Sequence, residues 1–304
     1  MHRAAPMAWQ HPFITIDQNQ LRHPDAISRL LDDCCRNELR LLLPDGAFLE
    51  FSKGGAPLET ARHSLCVLAP YRELVCSSRK IAEMLRDELQ RRAPCVSLVQ
   101  EESTRFLRSI LEELEHGDET KLRELVDGPI AELMPPALEV WNDHKHNRLT
   151  VHGLHDALKG DISASQLKAL RRSPEYEVSK WLSSADGMRF VYRRLKDRGA
   201  DGATAYELMR TPSVSAGFLS AMVALAAYWL AFGGLATAAA KEFSGDLLDM
   251  EYVILGALSR SLATADRRAS LICQAVASAF EARRSLPCIT NFDWDSPGRQ
   301  MPVE

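Results

Sequence analysis

The sequence predicts an α/β fold with a central parallel sheet, interrupted by an all-α insertion. Three observations lead there. Short apolar runs alternate with helical patterns over the first hundred of 304 residues, strand signals vanish from about 100 to 240, and the alternation returns afterwards. The expected organisation is an N-terminal half of the α/β domain over 1–100, a helical insertion over 101–240, and a C-terminal half over 241–304.

FITID, from Phe13, reads as a strand. His23-Pro24-Asp25 opens a helix, with Pro near its first position and Ile27, Leu30, Leu31 and Cys34 on one face. LRLLLP, from Leu39, is a continuous apolar run ended by Pro, as a strand buried on both faces would be. Asp45 can cap a short helix, DGAFLEFSK, that stops at Gly54-Gly55. Helices over 59–69 and 77–91 then flank a short strand at Leu74-Val75-Cys76. Glu101 to Glu115 repeats apolar residues at helical spacing, and helical periods continue to the Ala-rich segment. After 240 a helix over 246–258, a strand in RSLATAD, a helix over 269–284 and a last strand over 287–292 complete the pattern.

An apolar fraction of 46% fills a substantial core, and a net charge of −4 exerts no global pull on nucleic acid. Charge is distributed unevenly, however. Residues 101–139 carry 4 Lys/Arg against 11 Asp/Glu, a net of −7, whereas 140–210 carry 13 against 9, a net of +4. The basic block holds LKALRR and FVYRRLKDR, so Arg171, Arg172, Arg193, Arg194 and Lys196 are candidate nucleic-acid contacts. Seven cysteines without a CxxC pair, and no secretory leader ahead of the first strand, read as a reduced, cytoplasmic protein. His144, His146, His152 and His155 have no cysteine beside them and read as surface or RNA-contacting groups rather than a zinc site. The uncharged stretch over 211–240 is long enough to span a bilayer, but its Ala, Gly and Ser content reads instead as helix packing inside the insertion. No membrane partner is expected.

Two carboxylates occupy equivalent places, Asp17 closing the first strand and Asp266 closing SLATA. In a parallel α/β sheet the carboxyl ends of the strands face the ligand crevice. Glu50, on the helix after the second strand, and Asp249, on the helix leading to the Asp266 strand, can join them. Four converging carboxylates repel unless a divalent cation neutralises them, and hard oxygen ligands select Mg²⁺ or Mn²⁺.

IDQNQLR, LLPDGAFLEF and DMEYVILGALSRSLATAD, in that order, resemble the three acid-bearing elements of a PIN domain. The resemblance covers roughly residues 10–95 and 245–292. It implies a three-layer α/β/α fold and an Mg²⁺- or Mn²⁺-dependent endoribonuclease, a hydrolase leaving 5′-phosphate and 3′-hydroxyl ends. Asp17, Glu50, Asp249 and Asp266 would hold the metal, Asn19 and Thr264 would orient those carboxylates, and Asp246 competes with Asp249 for the third position. The family further implies an RNA substrate, an antitoxin-like inhibitor protein in toxin–antitoxin members, and homodimers. A catalytically inactive PIN-like scaffold that binds proteins is the alternative.

Overall fold

The structure is a computed structural model describing residues 13–48, 56–127, 143–233, 235, 238–259 and 261–284. It is mostly helical with a small four-stranded parallel sheet, a mixed α/β architecture. Two compact units divide the chain. One comprises Met1–Lys80, Val96–Asp143 and Ser259–Arg267; the other comprises Ile81–Cys95, His144–Leu258 and Arg268–Glu304.

The first unit carries the sheet, formed by β1 (Phe13–Ile16), β2 (Arg40–Leu43), β3 (Val75–Ser77) and β4 (Leu262–Ala263). Its order is β3-β2-β1-β4, with Ile14 opposite Leu41, Leu41 opposite Val75, and Ile16 opposite Ala263. Strand residues point alternately to the two faces, and both sets are buried: Ile14, Ile16, Leu41, Leu43 and Val75 on one, Phe13, Thr15, Leu42 and Cys76 on the other. This is why these strands read as unbroken apolar runs.

The first face packs on the helices that follow each strand. After the four-residue α1 (Gln18–Leu21), α2 (Pro24–Arg36) starts with Pro24, carries Asp25 in its first turn and Arg36 in its last, and buries Ile27, Leu31 and Cys34 at i, i+4 and i+7. The segment expected as one helix over 59–69 divides into α3 (Pro57–Leu65) and a 3-10 stretch, Cys66–Leu74. Pro70 lies inside that stretch, and its missing N–H prevents a regular α ladder there. Leu107, Ile110 and Leu111 of α5 (Glu101–His116) join the same core, and the helix ends at Gly117, whose φ of +78° forms the left-handed cap that favours glycine. DGAFLEFSK is helical over 46–48; Glu50 lies outside the described residues, as does the strand expected over 287–292.

The second unit is all-helical among its described residues. α4 (Ile81–Arg91) begins later than expected because Ser77 pairs in β3 and Ser78 bridges Val99. There follow α6 (His144–Asp161), α7 (Ala164–Arg172), α8 (Pro174–Leu182), α9 (Ala185–Asp197), α10 (Gly202–Arg210), α11 (Val214–Phe232), α12 (Ala240–Ser259) and α13 (Arg267–Arg284). Serine and aspartate start several of them: Ser163 forms a capping box with Gln166, Ser184 caps α9, Asp201 caps α10 and Ser213 caps α11.

α11 is the uncharged stretch. It is the one helix among the described residues long and apolar enough to cross a membrane, and it is buried at every position from 214 to 230 except Phe218 and Tyr228. It touches α4, α6, α7, α8, α9 and α10, so its all-round hydrophobicity is satisfied by protein on every side. Ile254 and Phe280 pack over Gly217, where a Cβ would stand 3.4 Å from each, in ordinary van der Waals contact.

Glu88, fully buried on α4, anchors the start of α11. Its carboxylate accepts N–H groups from Val214 at 2.9 Å, Ser215 at 2.7 Å and Cys95 at 2.9 Å. A negative charge on the positive end of a helix dipole satisfies donors that the helix itself leaves unpaired. Burial pushes the Glu88 pKa up, against the opposing pull of these donors.

Glu88→Ala is expected to destabilise the protein by about 3 kcal/mol, because buried N–H groups lose their acceptor; urea unfolding followed by circular dichroism reads this directly. A pH effect follows from the raised pKa. The folded state favours the proton, so the Glu88 contribution is full below the unfolded value of about 4.3 and declines as pH rises through the folded one. As pH rises above about 4.3, the stability difference between wild type and Glu88→Gln is expected to move in favour of Gln; a constant difference contradicts this.

Candidate functional site

The sheet order reverses between β1 and β4: the chain runs outward through β2 and β3, then returns to the other side of β1. In open parallel sheets, ligands bind beyond the carboxyl ends of the strands at such a reversal. Asp17 follows β1 and Thr264 follows β4, so both stand at that place.

Backbone pairing fixes the two ends first. Thr15 N–H donates to Ser261 O at 3.0 Å, and Asp17 N–H donates to Ala263 O at 2.9 Å. The Thr15 and Ser259 hydroxyls share a hydrogen bond at 3.2 Å. Side chains then lock the strand ends. Thr264 donates its hydroxyl to Asp17 Oδ2 at 2.7 Å, and its Oγ1 accepts the Asp266 N–H at 3.0 Å. Asp17 Oδ1 accepts the Asn19 N–H at 3.0 Å, capping α1. The local capping role accounts for one oxygen of Asp17; the bond across 247 residues of sequence is a tertiary device.

Asp17 is only 4% exposed, whereas Asp266 is exposed and Thr264 half-buried. Asn19 acts through its backbone N–H, its side chain lying in an exposed position. Gln18, 2% exposed and next to Asp17, has its Nε2 buried without a hydrogen-bond partner. Sequence reading did not single it out, because a glutamine after a strand-end acid has no pattern to distinguish it from a surface residue. A buried amide donor of this kind calls for a partner.

Glu50 is outside the described residues, and Asp249 is a half-buried residue of α12 in the helical unit. Asp246, on the same helix, is 6% exposed and engaged: Trp229 Nε1 donates to its Oδ2 at 3.0 Å, and Arg268 forms an ion pair with its Oδ1. Among the described residues, no group of three or more His, Cys, Asp or Glu side chains is gathered closely enough to hold a metal ion.

Of the basic residues, Arg171, Arg172 and Arg193 are exposed, while Arg194 pairs with Asp197 at 3.1 Å and lies 5.0 Å over the Phe190 ring. Lys196 stands 5.7 Å over Tyr192. The interleaved rings of this segment therefore serve first as intramolecular supports for its cations.

Thr264→Val, which preserves shape but removes the donor, is expected to destabilise the sheet unit by about 2 kcal/mol because a buried carboxylate loses a partner. Thr264→Ser should restore most of it in the same urea titration; equal losses in both variants would contradict the assigned bond.

Comparison of the chain with protein-family models, curated proteins and solved structures finds no match in any of the three.

Proposed function

We propose that the protein is an Mg²⁺- or Mn²⁺-dependent endoribonuclease with a PIN-like, three-layer α/β/α domain and a helical insertion that selects substrate. The observation that carries this reading is the hydrogen-bonded chain from Asp17 through Thr264 to Asp266, at the carboxyl ends of two adjacent parallel strands where their order reverses. A cap alone needs no threonine from the far end of the sequence.

The donor chemistry suits a hard cation. Each Asp17 oxygen accepts one hydrogen bond, and a carboxylate has about four lone-pair sites, leaving capacity for a metal. Asp17 and Asp266 supply the strand-end part of the ligand set; Glu50 and Asp249 are the acids the sequence pattern adds, with Asp246 the competitor for the third position. The ion would polarise a phosphodiester oxygen and stabilise charge on the leaving oxygen. Thr264 holds one carboxylate through its hydroxyl proton and the backbone of the other through its lone pair, so neither strand end can turn without disturbing its partner. Exposed Arg171, Arg172 and Arg193 carry the positive charge that a phosphate backbone requires. A cytoplasmic setting and regulation by an inhibitor protein or self-association belong to the same proposal.

The test is cleavage of labelled RNA by purified protein with Mn²⁺ or Mg²⁺, with and without EDTA. Asp17→Asn and Asp266→Asn are expected to abolish cleavage, Asp249→Asn to impair it more than Asp246→Asn, and Thr264→Val to slow it by about 10- to 100-fold. Cleavage that persists in both Asp17→Asn and Asp266→Asn would sink the assignment, and a well-folded wild type that cuts no RNA with either metal would leave the inactive-scaffold reading in its place.

A further inference from the structure

The stretch RRSPEYEVSK joins α7 to α8 in the helical unit. Ser173, between them, is extended (φ −146°, ψ 71°), because the Pro174 ring crowds the helical conformation of its predecessor. Hydrogen bonds cross the break all the same: Ser173 N–H donates to Ala169 O at 3.1 Å, and Glu177 N–H donates to Ser173 O at 3.0 Å. The joint therefore fixes the two helices to one another, with Leu170 of α7 and Val178 and Leu182 of α8 buried. On α7, Lys168, Arg171 and Arg172 stand at i, i+3 and i+4 and are all exposed. On α8, Tyr176 is 63% exposed, and Lys180, one turn on, holds its ammonium 5.6 Å from the ring centroid. Lys180 also reaches Glu177 at 3.8 Å. Over 164–182 the 4 Lys/Arg outnumber the 2 Asp/Glu, a net of +2.

We propose that Tyr176 is a surface platform on which one base of single-stranded RNA stacks, with Lys168, Arg171 and Arg172 holding the adjoining phosphates; this choice of ligand rests on the ribonuclease reading above. The ring is presented for flat contact. Lys180 takes one face, and most of the rest of the residue is open to solvent. Every base has a π-face, so such a platform accepts any of them without hydrogen-bond readout. The surroundings then choose a polyanion over a protein partner. The centre of a protein–protein contact is depleted in charge, whereas the exposed groups accompanying this ring on the joined helices include four cations. Positive charge beside a stacking ring is the combination that a single strand engages, backbone and base together. A duplex keeps its base faces within its own stack and can use only the cations.

The experiment is fluorescence anisotropy of a 5′-labelled, single-stranded RNA in EDTA, where no cleavage occurs; circular dichroism and urea unfolding establish that each variant is folded. Tyr176→Ala is expected to weaken binding at least about fivefold, the lower limit of base stacking on an aromatic side chain. Tyr176→Phe keeps the ring and should bind as wild type does. An abasic strand of equal length has nothing to stack, so wild type and Tyr176→Ala should bind it alike, and duplex RNA should not distinguish them either. Arg171→Ala should weaken binding of every strand and lower the slope of log affinity against log salt by about 0.7 for single strands. A folded Tyr176→Ala variant with wild-type affinity overturns the proposal. So does a Tyr176→Ala loss that is equally large on the abasic strand, which would make the ring a backbone contact, and so does wild-type protein that binds none of these RNAs. The two readings fail separately: base- and Tyr176-dependent binding without metal-dependent cleavage removes the nuclease assignment, and metal-dependent cleavage with Tyr176-independent binding removes this one.

Discussion

The pairing of β1 with β4 is the constraint on which the sheet unit depends. It joins residues near the two ends of the described chain, and the hydroxyl of Thr264 on the carboxylate of Asp17 seals the junction across 247 residues of sequence. Loop-closure entropy rises only slowly with length, so a long intervening segment is tolerable once it is itself folded. It still makes the contact non-local, and β4 contributes only two paired residues. With so little ladder, the side-chain bonds at the strand ends hold the register as much as the backbone does. The same bonds fix the carboxylate at the point where the sheet order turns, so the stability of this junction and the geometry of the candidate site are one problem.

The helical unit rests on a different device. α11 is apolar on all sides and cannot be positioned by amphipathic patterning; its burial drives packing without choosing a direction. Polar groups choose it. Glu88 binds the N-terminus of α11, while near the other end Trp229 meets Asp246 and, through it, Arg268. A buried charge costs solvation unless its partners are complete, and such completeness penalises every alternative register of a helix that hydrophobicity alone would let slide.

Much of this was legible in the sequence because the relevant signals are local. Period-two and continuous apolar runs located the strands, Pro24 the start of α2, and the absence of charge the core helix. The strand-end position of Asp17 and the Thr264-x-Asp266 spacing were visible as well, since a strand end and a hydroxyl two residues before an acid are sequence features. Tertiary partners were not. Glu88 sits among Ile81 and Met84 on a helix face that patterning reads as ordinary amphipathicity, and nothing nearby names the N-terminus of α11 as its counterpart. Asp246 reads in the sequence as an ordinary helix acid, yet it is committed to an indole and a guanidinium distant in sequence. Gln18 gives no signal until its burial is known.

The central claim, that the Asp17 and Asp266 strand ends gather a divalent cation, is tested most directly by anomalous diffraction from crystals soaked in Mn²⁺. The account predicts an anomalous peak within coordination distance of Asp17, about 2.0–2.6 Å from a carboxylate oxygen, that disappears in Asp17→Asn crystals. A peak held by other residues, or a well-ordered Asp17 carboxylate with no metal at millimolar Mn²⁺, would contradict it.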